Sequence, residues 1–391
     1  MTSVKYFHSA MTNAPVLNGV AGALIGVLDA CLVSGFGLVT VDTLTVNNGI
    51  ATATTSMGHA LEPDAVVLVT GASVPVLNGE HRVIERTSNS FTYATTAPNG
   101  TATGTMGARL APAGWEKAFT GTNLAAYRSA DITGTRMFLQ VTDTDARNAR
   151  VVGFEGMTDV NTGTAPFPTA GQVAGGLWWP KANAAAGAAR AWTLVADGRL
   201  FWLHVHTAAT AQGADGFVMG FGDFASWRPA DAFGCVLFGA AADVSAATGV
   251  QAANVFFAQQ TSALATGYAP RSHLALGGSA GMFKRAESFA RQELTSGGAG
   301  FEFPYPNGPD NGLMLSRMAV CEVAGNHWRG ILPGVFFVPQ AMSTASFGWR
   351  DKIDGQGALL GRKLLAVKCG TPAGTAATPA TGFFDITGPW R

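Results

Sequence analysis

Charge is the scarcest ingredient of this 391-residue chain. Asp, Glu, Lys and Arg make up 13% of it, about half of the ~25% usual in globular proteins. The 25 basic residues balance the 25 acidic ones, so the formal net charge is zero. That balance excludes a large nucleic-acid surface, which needs clustered Lys and Arg. The densest basic stretch, Lys284, Arg285 and Arg291, is interrupted by Glu287 and Glu293. With "GMFKRAESFARQEL" around it, it reads as the wet face of a helix. A free soluble protein normally keeps a net charge, because neutrality favours association. The composition suits a surface largely covered by neighbours. A genome rich in Gly and Ala codons accounts equally well for the 50 glycines, but less well for the missing charge.

Cysteine is also scarce. Cys31, Cys235, Cys321 and Cys369 lie far apart with no C-x-x-C spacing, which excludes a zinc ribbon or a redox pair. A secreted disulfide scaffold is smaller and denser in Cys. Buried, reduced thiols and assembly in a cytosol follow. Phosphate-cradling G-x-x-x-x-G-K-[ST] and metal-binding H-E-x-x-H patterns are missing, and no cofactor is expected.

Long apolar runs are missing too. Residues 1–15 carry polar groups where a signal peptide needs an apolar stretch. Val16–Val33 approaches the ~20 residues of a membrane span, but Asn18, Gly19, Gly22, Gly26 and Asp29 interrupt it. Val16, Val20, Leu24, Val27, Leu28, Cys31 and Leu32 fall near one helical face. The spacing predicts a buried amphipathic helix, with Asn13 as cap, Pro15 in the first turn and Gly35 as stop. No membrane insertion is expected.

What the chain has is strand and turn. "GLVTVDTLTVNNGIATATTS" is rich in Val and Thr around an Asn-Asn-Gly turn, a hairpin signal. "AVVLVTG", "EHRVIERT", "SFTYATT" and "GTATGTM" follow, spaced as in a small barrel or sandwich. Further on, "RMFLQVTD", "ARVVGFEGM", "GFVMGFGDF" and "GCVLFGAA" are apolar runs bounded by Gly and Asp. Asp197-Gly198 predicts a tight hairpin joining Trp192–Ala196 to Leu200–His206. The expected fold is mainly β: an N-terminal helical arm over 1–42, a small β module over 43–110, and a large antiparallel β-sandwich domain over 111–391 with few helices.

The order "GHALEPDAVVLVTGA…LNGEHRVIERTSNSFTYATT…TATGT" resembles a β module that recurs in bacteriophage virion proteins. His59, Gly71, Asn78, Gly79, Phe91, Tyr93 and Gly104 match its pattern. Pro63-Asp64 stands where that pattern usually has Gly-Asp. "VKYFHSAMTNAPVLNGVAGALIGVLDACLVSGFG", "GWEKAFTGTNLAAYRS" and "RGILPGVFFVPQ" are similar to segments of tail-associated phage proteins. The resemblance implies a structural component of a tail or tail tip, assembled in the host cytoplasm and located in the virion. It implies self-association, as a trimer or a multiple of three, docking to other tail proteins, and no enzymatic activity.

Candidate chemistry is thin. Gly277–Gly281 fits G-x-S-x-G, with Ser279 as nucleophile and Asp310 and His327 in hydrolase order. Chance is the simpler source of the match in so Gly-rich a chain. His204 and His206 share one strand face and could begin a metal site, but histidines on a polar face explain them. Asp143, Asp145 and Asn148 hint at a calcium loop, but Arg147 at position five breaks the pattern. Loop aromatics remain: Trp178 and Trp179 in "GLWWPK", Trp227 in "FASWRP" and Tyr305 in "YPNGPDNG". Exposed, they are candidates for docking partners or for binding a host-surface glycan. Burial in a β core is as good a reading.

Overall fold

Short branched and aromatic runs cut by turn pairs leave the chain little choice but strands. The computed structural model describes residues 4–59, 61–209, 216–245, 266–286, 303–341, 346–369 and 380–391. Among them, strands form three main sheets and one short pair, almost all antiparallel. The fold is mainly β.

The largest sheet has thirteen strands. It starts with Lys5–His8 on the edge of Trp192–Ala196 and runs through Leu200–His206 and Gly216–Asp223 towards Lys363–Cys369 and Lys352–Asp354. A parallel bridge between Gly216 and Cys369 joins the sheet back onto itself. The Asp197-Gly198 hairpin forms with the expected strands, Ala196 facing Phe201. The Asp197 carboxylate accepts from Arg199 N at 2.8 Å and Leu200 N at 2.7 Å, which fixes the turn. All seven residues of Leu200–His206 are buried, so both faces of that strand are covered.

A six-stranded sheet, Trp115–Gly121 to Leu177–Pro180, packs on the large one. Trp115 lies 5.3 Å from Phe201, and Phe167 lies 6.3 Å from Phe221. The four cysteines are buried and unpaired.

The third sheet, of eight strands, spans Phe36 to Leu110. Its first strand, Phe36–Val41, pairs with Met106–Leu110, so the unit begins several residues before 43 and its two ends are neighbours. Six residues of the phage-like pattern, His59, Gly71, Asn78, Phe91, Tyr93 and Gly104, have a structural task here. Asn78 clamps the loop before it, accepting from Ala72 N at 2.9 Å and donating to Ala72 O at 2.8 Å. The Tyr93 hydroxyl donates to Leu77 O, and His59 lies edge-on to Phe91 at 5.5 Å. Gly71 and Gly104 back onto each other: a Cβ on Gly71 would sit 1.9 Å from Thr105 O, and one on Gly104 would sit 2.2 Å from Gly71 O. Gly71 also has φ +81°. Gly71→Ala is therefore expected to destabilise the chain by more than the ~1 kcal/mol that strain at positive φ alone costs. Gly58→Ala, with no contact nearer than 3.6 Å, should be close to neutral. Urea midpoints of the two variants check this.

This unit is seated against the large sheet. Tyr6 OH donates to Pro63 O at 2.8 Å, Lys352 Nζ to the same oxygen at 3.0 Å, and Lys5 Nζ to Glu80 at 2.7 Å. Arg82 donates to Asp64 O, Val4 O and Thr387 O. Pro63-Asp64, where the chain departs from the pattern, is thus the corner that meets the large sheet.

The N-terminal arm differs from expectation. The α-helix covers only Ala23–Leu28, followed by a wider π turn, Asp29–Ser34. Before it, Leu17 bridges to Arg190 and Gly19 N donates to Ala186 O, so this segment lies along the large domain, with Val16 and Val20 exposed. The helix starts late because its N-terminal amides find a distant acceptor. Asp143 takes Leu24 N at 2.8 Å and Ile25 N at 3.2 Å. "GMFKRAESFARQEL" also departs from expectation: Ala280–Ala286 is a strand paired with Ser316–Glu322. Residues 287–294 lie outside the described residues. Lys284 is consequently buried, which pushes its ammonium down to about 7.

Candidate interaction surface

The four aromatic candidates separate cleanly. Trp178 and Trp179 lie on a strand, not in a loop, paired with Arg150 and Ala149. Neighbours on a strand point to opposite faces. Trp179 enters the core, where its Nε1 donates to Phe238 O at 2.8 Å and its ring meets Phe201 edge-on. It is fully buried and presents nothing to solvent. Trp178 takes the other face, under the Arg150 guanidinium at 3.8 Å from its ring centre. Arg150 is itself held by Ala174 O and Gly176 O. Tyr305 is half-buried beside Phe347 and lines a hollow of about 560 Å³ with Leu313 and Leu359.

Trp227 alone of the four is open, at 53% exposure. The short strand Ala225–Ser226 pairs with Ile331 and Gly330, and Trp227 N donates to Arg329 O at 3.0 Å. Gly330 permits this approach, since a Cβ there would lie 2.2 Å from Ala225 O. The pairing brings Trp328 alongside, with ring centres 5.5 Å apart and planes 19° from parallel. Trp328 is 39% exposed. The sequence reading missed it.

Below the two indoles lies a buried charge cluster. The Arg329 guanidinium is 3.5 Å from Asp231 and 3.6 Å from Glu322, all three side chains being almost inaccessible. Arg329 also donates to Arg271 O, and Ser226 Oγ donates to Asp231 at 2.8 Å. Glu322 accepts from His273 N at 2.9 Å, and Arg228 donates to His273 O. His273 packs against His327 with ring centres 3.9 Å apart and planes tilted by 45°, and Leu274 and Leu276 stand open nearby. A buried charge that loses its partner is costly, so the cluster fixes the segments that carry the aromatics. Aromatic rings fixed in this way expose apolar area with little side-chain freedom left to lose.

The other motif positions have different tasks. The turn at Ser279 leads into a strand, where a nucleophile elbow requires a helix. Ser279 Oγ is buried and has no hydrogen-bond partner among the described residues. His204 and His206 do share a face, 4.6 Å apart, but are fully buried and not on a polar surface. Among the described residues, no group of three His, Cys, Asp or Glu side chains is placed to hold a metal ion. Asp145 caps the turn at Arg147 and Asn148, while Asn148 donates to Asp243. Asp143 points away to the helix.

No protein-family model and no curated protein matches the chain. Among solved structures it is similar to the phage phi92 endosialidase, with 11% identity and a TM-score of 0.17 over 90% of this chain. It spans 52%, about half, of that chain. A likeness that weak carries no inference about activity.

Proposed function

We propose that this chain is a structural component of a bacteriophage tail or tail tip. In this reading it is a virion protein without enzymatic activity, assembled in the host cytoplasm, that associates with itself and docks to neighbouring tail proteins. The observation that carries the proposal is the eight-stranded unit. Its phage-like signature residues are spent on its own turns, clamp and core, and its ends are adjacent, as in a module inserted into a host domain. Self-association is supported by the low charge and by large apolar side chains left open, among them Met57, Ile132 and Leu360. The full chain is expected to sediment as a trimer or a multiple of three. A monomer at micromolar concentration would remove the self-assembly part of the proposal.

A second reading, a tail protein that binds a host-surface glycan, is favoured by the open Trp227–Trp328 stack. A saccharide bound by the wild type and lost in Trp227→Ala would support it. A Trp227→Ala change that alters only the sedimentation coefficient would assign the stack to subunit contacts.

A further inference from the structure

Beside the tryptophan stack, but without its two indoles in their walls, two hollows of about 600 and 500 Å³ share Thr133, Arg199 and Arg391 as lining residues. Each falls within the ~300–1,000 Å³ of ligand sites. Asp131, Asp197 and Trp390 line the first, and Asp223, Ser226 and Asp231 line the second. The walls come from four distant parts of the chain, and internal bonds fix them. Arg199, placed by the Asp197-Gly198 turn, donates from Nε to Asp131 at 2.8 Å and from Nη2 to the Thr133 hydroxyl. Arg391 donates to Asp197 at 2.8 Å and to Asp223 O. Asp223 in turn accepts from Thr135 N at 2.9 Å and Thr135 Oγ1 at 2.5 Å. Gly134 leaves room for this, since a Cβ there would lie 2.9 Å from the Asp223 carboxylate.

The chemistry of the lining selects its ligand. A guanidinium carries five N–H donors and a carboxylate about four acceptor sites. The bonds named use two donors of each arginine, so donors and acceptors remain on groups already held in place. Three carboxylates (Asp131, Asp197, Asp223) face three guanidiniums (Arg199, Arg228, Arg391) across the two hollows, the Asp231 carboxylate being turned inward to Arg329, so a polyanion gains no net attraction. Ordered donors and acceptors without excess positive charge suit a ligand rich in hydroxyls, each of which both donates and accepts. The Trp390 indole adds an apolar wall for the C–H face of a sugar ring. We infer that the joined hollows are a binding groove for a neutral oligosaccharide. The inference deepens the glycan reading and places the sugar in the groove instead of on the Trp227–Trp328 stack.

The test uses the full chain against an array of neutral oligosaccharides (gluco-, galacto-, manno- and rhamno-series) and acidic ones (uronate-containing and sialylated). Ala130→Trp and Ala232→Trp fill the two hollows from exposed positions without touching the fixed pairs. The expected result is binding to at least one neutral series, none to the acidic ones, and roughly tenfold or greater loss in both variants. Two results overturn the groove but keep the glycan reading: binding that survives both fillings yet disappears in Trp227→Ala, and a preference for acidic saccharides. Binding to no saccharide at millimolar concentration overturns both.

Discussion

Acidification from about pH 7 to about pH 4.5 is expected to cost the fold about 5 kcal/mol through His204 and His206 alone. The rings sit edge to face, 4.6 Å apart and fully buried, and His206 also packs against Trp349 at 4.8 Å. His204 Nε2 is 2.7 Å from Lys368 O and donates there. Among the described residues, His204 Nδ1 and both nitrogens of His206 have no hydrogen-bond partner. Burial pushes His204 down to about 4. It pushes His206 down to about 2, with the charges of His204 and Arg350 adding to the effect. Above about pH 6.5 both rings are neutral whether folded or not, and the shifts cost nothing. Below it, the unfolded chain takes up protons that the folded chain refuses, at about 1.4 kcal/mol per ring and pH unit. Two units down, each ring accounts for about 2–3 kcal/mol, against a total stability of ~5–15 kcal/mol. Urea unfolding at the two pH values measures the loss, and His206→Leu isolates it. Leucine fills a similar volume with no nitrogen to leave unpaired, so the pH-induced loss should shrink by about 2–3 kcal/mol. An unchanged loss in the variant would mean that the ring protonates in place, and the account would fail.

Where a residue's fate is decided by its near neighbours, the sequence is readable. Asp197-Gly198 makes its hairpin because Asp197 caps amides two and three residues on. The signature of the eight-stranded unit is legible for the same reason, since Asn78 clamps a loop only six residues back. Reading fails where the deciding contact is remote. The periodicity of 16–33 favours a helix over the whole span, yet the helix starts only at Ala23, where a carboxylate 119 residues away takes its amides. Trp178 and Trp179 are alike in sequence, and only the register against Arg150 and Ala149 sends one to the core and the other beneath a guanidinium. Trp328 joins Trp227 through the pairing of Ala225 with Ile331, which no local pattern announces. Ala280–Ala286 has helical composition, but its paired neighbours on both sides impose a strand, and tertiary context overrides propensity. The groove around Arg199 is the extreme case, because each of its walls reads alone as a turn.

Removing one charge of the Asp143–Lys181 pair is expected to cost about 3–5 kcal/mol, among the largest single-residue effects in this chain. Both side chains are fully inaccessible, and Lys181 Nζ donates to Asp143 Oδ1 and, at 2.7 Å, to Val20 O. The other carboxylate oxygen takes the two helix amides, and Asp143 O accepts from Gly22 N at 2.8 Å. The pair thus ties the six-stranded sheet to the chain that enters the helix. Lys181→Met leaves a buried carboxylate facing only two amides. Asp143→Leu leaves a buried ammonium and two uncapped amides. The double variant leaves no buried charge, only the amides, whose unmet hydrogen bonds cost about 1–3 kcal/mol each. The cycle should therefore be far from additive, with the double variant more stable than Asp143→Leu alone. Two single losses below about 1 kcal/mol that simply add would instead match a solvated surface pair. If the cycle behaves as expected, the late start of the helix is a consequence of the pair. The amides of Leu24 and Ile25 find their acceptor only where Lys181 holds the carboxylate. Shortening the expected helix by about two turns is then the cost of anchoring the N-terminal segment to a sheet carboxylate 119 residues further along the chain.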